Sequence, residues 1–279
     1  MKKISLILAA LFSLPLAAEP ARLVTVGAMA SELVCDLGHC SEIVAVDITS
    51  VYPSKLLQKP KVGYVSKLSA EGILAMKPTA FIYIDGAGPA QVLQQIEQSG
   101  VKLCKLNKDL GPKAATDRII ELGKALKEED KAKALAAKVD TSLAKLTKDK
   151  PAAKRPKVLF LYARGAQTLL AMGKNTTADE FLELAGATNA FTADGYKPIN
   201  AEAVAASQAD IIIIPDGSLQ GLGGKDSLKS IPGIAQIPAG KNLAVVTIDD
   251  SLLAGLGPRT EDAVRSIRKK IAEEIKRGK

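Results

Sequence analysis

The chain has 279 residues, of which 47 % are hydrophobic and 24 % are charged, and its formal net charge at pH 7 is +8. The composition is that of a globular protein, and the length suggests one large domain or two modest ones. The basic excess is compatible with an anionic ligand, but lysines and arginines are spread along the chain without interleaved aromatic residues, which argues against nucleic acid. The single histidine, His39, nearly excludes a histidine-based catalytic triad or a histidine-rich metal site.

The first 18 residues predict a secretory signal peptide. Two lysines precede an apolar run at residues 4–11, and small residues follow up to Ala18. The apolar run is too short to cross a bilayer as a helix. We therefore expect cleavage after Ala18 and export of the remaining chain to the periplasm.

Strands and helices alternate over the next hundred residues. Apolar segments predict strands at residues 22–27, 42–47, 79–84 and 101–106, and helical spacing predicts helices at 30–38 and 91–100. Both helical segments end at a glycine, which is a common helix stop. This alternation is typical of a mostly parallel α/β sheet.

A long helical segment follows and divides the chain. Residues 115–148 are rich in Ala, Leu, Lys and Glu without an interior proline, and they predict a helix with a break near Glu128. The alternation then resumes, with strands predicted at 157–163, 209–217 and 242–249 and helices at 175–186, 200–208 and 259–278. We predict an N-terminal lobe at 19–126, a linking helix at 127–150 and a C-terminal lobe at 151–279.

An internal repeat supports two similar lobes. The segment "GYVSKLSAEGILAMKPTAFIYI", from Gly63, resembles "GYKPINAEAVAASQADIIIIP", from Gly195, at an offset of about 131 residues. We therefore predict an α/β fold of two similar Rossmann-like lobes with mostly parallel sheets. A single long backbone helix joins them, and a ligand cleft lies between them, where domain junctions favour binding sites.

Signatures of common enzymes are missing from the sequence. It contains no nucleophile elbow, no H-E-x-x-H pattern and no phosphate-binding loop of the G-x-x-x-x-G-K-[ST] type. We read the glycine-rich loops at 85–89 and 216–224 as backbone that turns sharply or approaches a flat ligand. We expect no enzymatic activity.

Tyr64 is the candidate metal-binding residue. It follows a glycine in a short loop, and Lys67 lies three residues further on. A phenolate suits ferric iron, and tyrosine is an axial ligand of haem iron in some proteins; a nearby cation helps the phenol to ionise. The alternative is a loop tyrosine whose ring packs and whose hydroxyl forms a hydrogen bond.

The three cysteines allow one short-range disulfide. Cys35 and Cys40 bracket the sequence "DLGH", close enough to be joined in an oxidising compartment. Both the bonded and the free forms remain open from the sequence. We expect His39, in the same turn, to be a polar loop residue, and Arg259, near the start of the last helix, to cap or pack.

The chain resembles the periplasmic haem-binding proteins of bacterial haem ABC importers, within the helix-linked class that also carries cobalamin and siderophores. The resemblance covers nearly the whole exported chain and rests on "LVTVGAMASELVCDLG", "AVDITSVYP", "KVGYVSKLSAEGILAMKP", "GAGP", "GYKPINAEAV" and "GLGPRT". It implies that Tyr64 is the axial ligand of haem b. It also implies that Lys67 or Arg164 pairs with propionates, and that Tyr196 either lines the opposite wall or packs.

The chain departs from this class at two points. Relatives often carry a cation two residues after the tyrosine, where this chain has Ser66 and places Lys67 one residue later. Some relatives bind a second stacked haem through a histidine, but the comparable segment here, "YARGAQ", has none. We therefore do not expect ligation of a second haem by that route.

The resemblance also implies partners. One glutamate per lobe, Glu71 and Glu202, would meet arginines of an inner-membrane permease dimer, and an outer-membrane haem receptor system would act upstream. The alternative for both is an ordinary first-turn glutamate favoured by the helix dipole. Three rival functions stay open: a cobalamin or ferric-siderophore carrier of the same class, a periplasmic two-lobed enzyme, and a metal-ion receptor, which the lack of histidine disfavours.

Overall fold

The structure is a computed structural model that describes residues 21–149, 155–164 and 168–277. The predicted signal peptide lies outside these residues. No helix in the described part of the chain is both long and apolar enough to span a membrane.

A four-stranded parallel sheet forms the centre of the N-terminal lobe. The elements in chain order are β1 (Leu23–Val26), α1 (Ala28–Asp36), β2 (Ile43–Val46), β3 (Gly63–Tyr64), β4 (Lys67–Leu68), α2 (Ala70–Leu74), β5 (Ala80–Ile84), α3 (Ala90–Gln98) and β6 (Lys102–Leu106). The strand order is β2-β1-β5-β6, and every neighbouring pair is parallel. All four residues of β1 are buried, as expected for a central strand covered by helices on both faces.

Two helices connect this lobe to the next one. They are α4 (Pro112–Leu126) and α5 (Glu129–Lys148), and the predicted break near Glu128 is confirmed by a left-handed Lys127 between them. A Cβ atom added to Gly123 would lie 2.2 Å from the Cβ of Ala132, so only glycine allows the helices to approach this closely. Over its 20 residues α5 extends for about 30 Å.

Helix α5 also joins the cores of the two lobes. Its buried side chains, which include Val139, Leu143 and Leu146, belong to one apolar cluster together with residues of α1 and α6. Because α5 packs on α4 as well as on α6 and α10, it acts as the backbone of the molecule.

The C-terminal lobe contains a six-stranded mixed sheet. Its elements are β7 (Lys157–Arg164), β8 (Thr168–Met172), α6 (Thr177–Ala185), β9 (Thr188–Asn189), β10 (Tyr196–Pro198), α7 (Ala201–Ser207), β11 (Ile211–Pro215), α8 (Asp216–Gly221), α9 (Pro238–Lys241), β12 (Val245–Ile248) and α10 (Thr260–Arg277). The order is β10-β8-β7-β11-β12, and β9 also pairs with β7. Strands β7, β9, β11 and β12 run parallel, whereas β8 and β10 are antiparallel to their neighbours.

Two local predictions for this lobe differ from the structure. Strands β8 and β10 were not expected, and the segment at 216–224, expected to be a loop, begins with helix α8. The amide of Gly217 at the start of α8 donates to Asp250 Oδ2 over 3.0 Å. A partner 33 residues away thus stabilises a helix start that local sequence does not predict.

Candidate ligand site between the lobes

A tight hairpin presents Tyr64 at the inner edge of the N-terminal lobe. Strands β3 and β4 pair antiparallel, and the Cα partner of Tyr64 is Lys67. Gly63 has a φ of +108°, and a Cβ there would lie 2.9 Å from the carbonyl oxygen of Lys67. The glycine before the tyrosine is therefore required both by its left-handed backbone and by the close contact across the hairpin.

Backbone hydrogen bonds hold the hairpin from both sides. The amide of Ile48 donates to the carbonyl of Gly63 over 2.9 Å. On the other side, the Leu68 amide donates to Gly88 and the Gly88 amide donates to Val65, each over 3.0 Å. The glycine-rich loop at 85–89 is thus a support for the hairpin, and the position of the Tyr64 backbone is fixed.

The loop before the hairpin is organised by a buried carboxylate. Asp47 is fully buried, and its oxygens accept hydrogen bonds from the amides of Gly27 and Thr49. Its Oδ1 also accepts from the hydroxyl of Ser50, which continues to Ser31. Asp47, at the carboxyl end of β2, is consequently occupied in shaping the loop.

Tyr196 of the C-terminal lobe lies within electrostatic range of Tyr64. It begins β10, where its Cα partner is Met172, and 51 % of its surface is exposed. Although half of the side chain is exposed, partial burial of its hydroxyl is the main cause that raises the pKa of Tyr196, and the phenols of Tyr64 and Tyr162 raise this pKa further. Tyr196 therefore lies within electrostatic range of both Tyr64, its counterpart in the internal repeat, and Tyr162.

A cavity of about 620 Å³ continues from Tyr196 into the space between the lobes. This volume is within the range of about 300–1,000 Å³ that small-molecule sites occupy. Apolar residues from both lobes line part of it, namely Met29, Ile84, Leu253 and Leu256, and residues 107–109 and Arg118 line another part. It adjoins the carboxyl ends of β5 and β6, the usual place for a ligand in an open α/β sheet.

Arg259 crosses from the C-terminal lobe to the N-terminal lobe. Its Nη2 lies 2.6 Å from Glu32 Oε2 and its Nε lies 3.0 Å from Glu32 Oε1. The guanidinium also donates to the carbonyl of Ser251 over 2.8 Å and lies 3.6 Å from the centre of the Tyr52 ring. Arg259 therefore packs, as expected, but as one half of an ion pair between the lobes.

The two glutamates expected to dock occupy equivalent positions. Glu71 is in the first turn of α2, capped by Ser69, and Glu202 is in the first turn of α7, capped by Asn200. Both side chains are exposed. The side chain of Arg164 lies outside what the structure describes, so the expected propionate contact of this residue stays a prediction.

The turn around His39 is tied together by covalent and polar contacts. Cys35 and Cys40 form a disulfide with a Cα–Cα distance of 4.1 Å. His39 lies with Nδ1 3.0 Å from Glu42 and Nε2 3.2 Å from Glu128, next to the junction of α4 and α5. Within residues 21–149, 155–164 and 168–277, no group of three or more His, Cys, Asp or Glu side chains is arranged to hold a metal ion.

Several residues of the cleft were not identified from sequence. Lys108, Arg118 and Asn107 line the cavity, and Glu32 pairs across the lobes. Each of these residues is placed in the cleft by contacts with residues distant in the chain. The sequence around each of them looks like that of an ordinary loop or helix. The only sequence signal near them is the position of Asn107 directly after a predicted strand.

Comparisons with known proteins agree with this architecture. The profile of the periplasmic binding protein family matches residues 23–252. The solved periplasmic heme-binding protein RhuT from Roseiflexus sp. RS-1 is 33 % identical, and the match covers 91 % of this chain and 98 % of that one with a TM-score of 0.86. A periplasmic heme binding protein from Pseudomonas aeruginosa is 35 % identical over 89 % of this chain and 91 % of that one, with a TM-score of 0.79.

Curated relatives are more distant. A vitamin B12-binding protein of Vibrio vulnificus strain CMCP6 is 25 % identical, and the match covers 96 % of each chain. An uncharacterized ABC transporter substrate-binding lipoprotein of Bacillus subtilis is 24 % identical over 91 % of this chain and 80 % of the relative. The chain therefore belongs to the periplasmic binding protein family, whose members serve ABC importers as substrate-binding components and are not enzymes.

Proposed function

We propose that this protein captures haem b, ferric protoporphyrin, in the cleft between its lobes and delivers it to an ABC importer of the inner membrane. The observation that carries the proposal is Tyr64, whose backbone is held in a tight hairpin and whose phenol lies within electrostatic range of Tyr196 in the other lobe. In the proposed complex, the Tyr64 phenolate binds the ferric iron on one face of the porphyrin. Ile48, 52 % exposed beside the hairpin, offers an apolar surface to the ring.

Lys67 supports this role for Tyr64. The two residues are directly paired in the hairpin, so the ammonium is held on the same short ribbon as the phenol. A bound ferric ion would itself favour the phenolate. Lys67 is exposed and is therefore also available to a propionate, as Arg164 would be from the opposite lobe.

Cobalamin is the second candidate ligand. It is favoured by the names of five curated relatives, all vitamin B12-binding proteins at 24–25 % identity. The heme-binding structures named above are more similar, at 33 % and 35 % identity, which is why haem is preferred. A ferric siderophore already supplies the iron ligands, so a carrier for it would not need Tyr64.

Delivery would use the two exposed glutamates. Glu71 and Glu202 lie at matching places of the two lobes, as a two-fold symmetric permease dimer requires. We propose that each meets basic residues of one permease subunit, and that an outer-membrane haem receptor system supplies the ligand. Export would remove residues 1–18, leaving lobes at 19–126 and 151–279 joined by the helix at 127–150.

An absorbance titration tests the proposal. The exported form is titrated with hemin and, separately, with cobalamin, next to the variant Tyr64→Phe, which keeps the ring and removes the ligand oxygen. We expect saturable hemin binding with a ferric tyrosinate spectrum that the variant lacks. Identical hemin spectra of wild type and variant would refute the role of Tyr64, and saturation by cobalamin alone would establish the second candidate.

A further inference from the structure

Resting on the proposed function, we propose that the cavity wall beside Lys108 is the site for the carboxylates of the ligand. Haem has an apolar ring with two propionates on one edge. The cavity has matching parts, since Met29, Ile84 and Leu256 supply apolar surface and residues 107–109 with Arg118 supply a polar one. In this arrangement the ligand edge that carries the carboxylates lies beside the carboxyl end of β6, and Lys108 takes the place that the resemblance gives to Lys67 or Arg164.

Lys108 supplies the charge. Among the described residues no carboxylate lies within salt-bridge distance of its ammonium, in contrast to Lys105 on the same segment, which pairs with Asp85 at 3.8 Å. The Nζ of Lys108 lies against the loop after β5, 3.1 Å from the position that a Cβ on Gly86 would take. Gly86 thus leaves room for the ammonium at the cavity wall.

Arg118 holds this wall in place and adds a second positive charge. It is 5 % exposed, and its guanidinium donates to the carbonyls of Asn107 and Asp109, each over 2.8 Å, and to Leu256 of the other lobe over 3.1 Å. These bonds flank Lys108 on both sides and fix its backbone. Three of the five guanidinium N–H groups are used in this way, so Arg118 serves mainly to position the backbone on both sides of Lys108.

The charges around the cavity single out Lys108 as the cation for an anionic group. The charge of Arg118 is balanced in part by Asp109, which lines the cavity, and by Glu180, which interacts with Arg118 electrostatically. Lys108 has no such carboxylate partner among the described residues, and in a partly enclosed space the attraction of its ammonium to a carboxylate is stronger than in bulk water.

The experiment compares two ligands and three proteins. Hemin and its dimethyl ester, in which both carboxylates are blocked, are titrated into wild type, Lys108→Gln and the control Lys105→Gln. Arg118 is not substituted because its three carbonyl contacts support the chain. We expect Lys108→Gln to weaken hemin about tenfold with an unchanged iron spectrum, to leave ester binding unchanged, and Lys105→Gln to bind both as wild type does.

Each other outcome has one meaning. Equal hemin affinity in Lys108→Gln and wild type, or an equal loss for hemin and ester, would overturn the carboxylate site while leaving haem capture intact. Absence of saturable hemin binding in wild type would overturn the proposed function and this inference with it. A failure of the carboxylate site would thus appear in the comparison of Lys108→Gln with wild type, whereas a failure of the proposed function would appear in wild type alone.

Discussion

Glu32 and Arg259 belong to different lobes, yet their side chains form a two-point ion pair that is almost completely buried. The Glu32 side chain is 4 % exposed and the Arg259 side chain 16 %. Both carboxylate oxygens accept a guanidinium N–H, and the Tyr52 ring covers the cation. The desolvation cost of two charges is offset only in such a geometry, so the pair depends on the lobes keeping their spacing.

Removing one partner of this pair should destabilise the whole molecule. In Glu32→Gln the guanidinium stays buried without its counter-charge, and we expect the free energy of unfolding to fall by about 3 kcal/mol. Urea unfolding followed by circular dichroism measures this. The control Asp117→Asn breaks the exposed Lys113–Asp117 pair and should change stability by less than about 0.5 kcal/mol; similar losses in both variants would contradict the interlobe role.

Gly63→Ala should damage the hairpin that carries Tyr64. A methyl group there meets the Lys67 carbonyl at 2.9 Å with φ at +108°, a strain of about 1–3 kcal/mol. We expect weaker hemin binding together with a lower melting temperature. Gly221→Ala, where an added Cβ meets nothing within 4 Å, is the matched control, and unchanged hemin affinity in Gly63→Ala would show that the hairpin tolerates the change.

Tyr196→Phe should keep the iron spectrum that Tyr64→Phe loses. Tyr64 is paired with the cationic Lys67, whereas the partner of Tyr196 is the apolar Met172, and burial raises the pKa of Tyr196. At neutral pH Tyr196 is therefore an uncharged phenol that can contact the ring. We expect the hemin affinity of Tyr196→Phe, measured by absorbance, to be within about fivefold of that of wild type. Loss of the tyrosinate band in Tyr196→Phe would instead indicate that Tyr196 is the iron ligand and Tyr64 the ring contact.

The docking glutamates can be separated from ligand binding. Glu71→Ala and Glu202→Ala should each weaken the interaction with the importer by at least about tenfold, because each removes one charge from a two-point contact. Hemin affinity should not change. The measurement is stimulation of ATP hydrolysis by the importer in vesicles, with Glu97→Ala, also exposed, as the control; full stimulation by the double variant would exclude this docking mode.

Cys104 should be a slow thiol. Burial, and to a smaller extent Glu121, raises the pKa of Cys104 to about 11, so that only about one molecule in a thousand carries the thiolate at pH 8. Without reductant, we expect a colorimetric thiol reagent to detect one slow thiol per native chain and one fast thiol after unfolding. Detection of three thiols would show that Cys35 and Cys40 are reduced.

The central strands and the linking helices could be predicted from sequence because their signals are local. Residues 211–214 are four isoleucines and all are buried, and the break before α5 coincides with a left-handed Lys127. Strands β8 and β10 could not be predicted in this way. Strand β10 has only three residues, all exposed, and therefore carries no apolar signal. Strand β8 has the sequence TLLAM, a short apolar run that by itself does not distinguish a strand from a buried helical segment.

Among the residues of the cleft, those in the internal repeat could be predicted from the sequence. Tyr64 and Tyr196 were identified because the two lobes share a pattern, and the structure places them within electrostatic range of each other. Arg118 and Leu256 are 138 residues apart, and Glu32 and Arg259 are 227 residues apart. No local pattern carries such contacts, because they depend on how the two lobes meet.

Because α4 and α5 pack closely at Gly123 and Ala132, sliding of one helix along the other would produce a clash, and we expect the lobes to open only modestly. The ligand-bound and ligand-free forms would then have nearly the same overall shape. The importer would have to distinguish them by contacts at the edge of the cleft. Release of the ligand would then depend on the importer. By binding both lobes, it would have to separate them against the buried ion pair between Glu32 and Arg259.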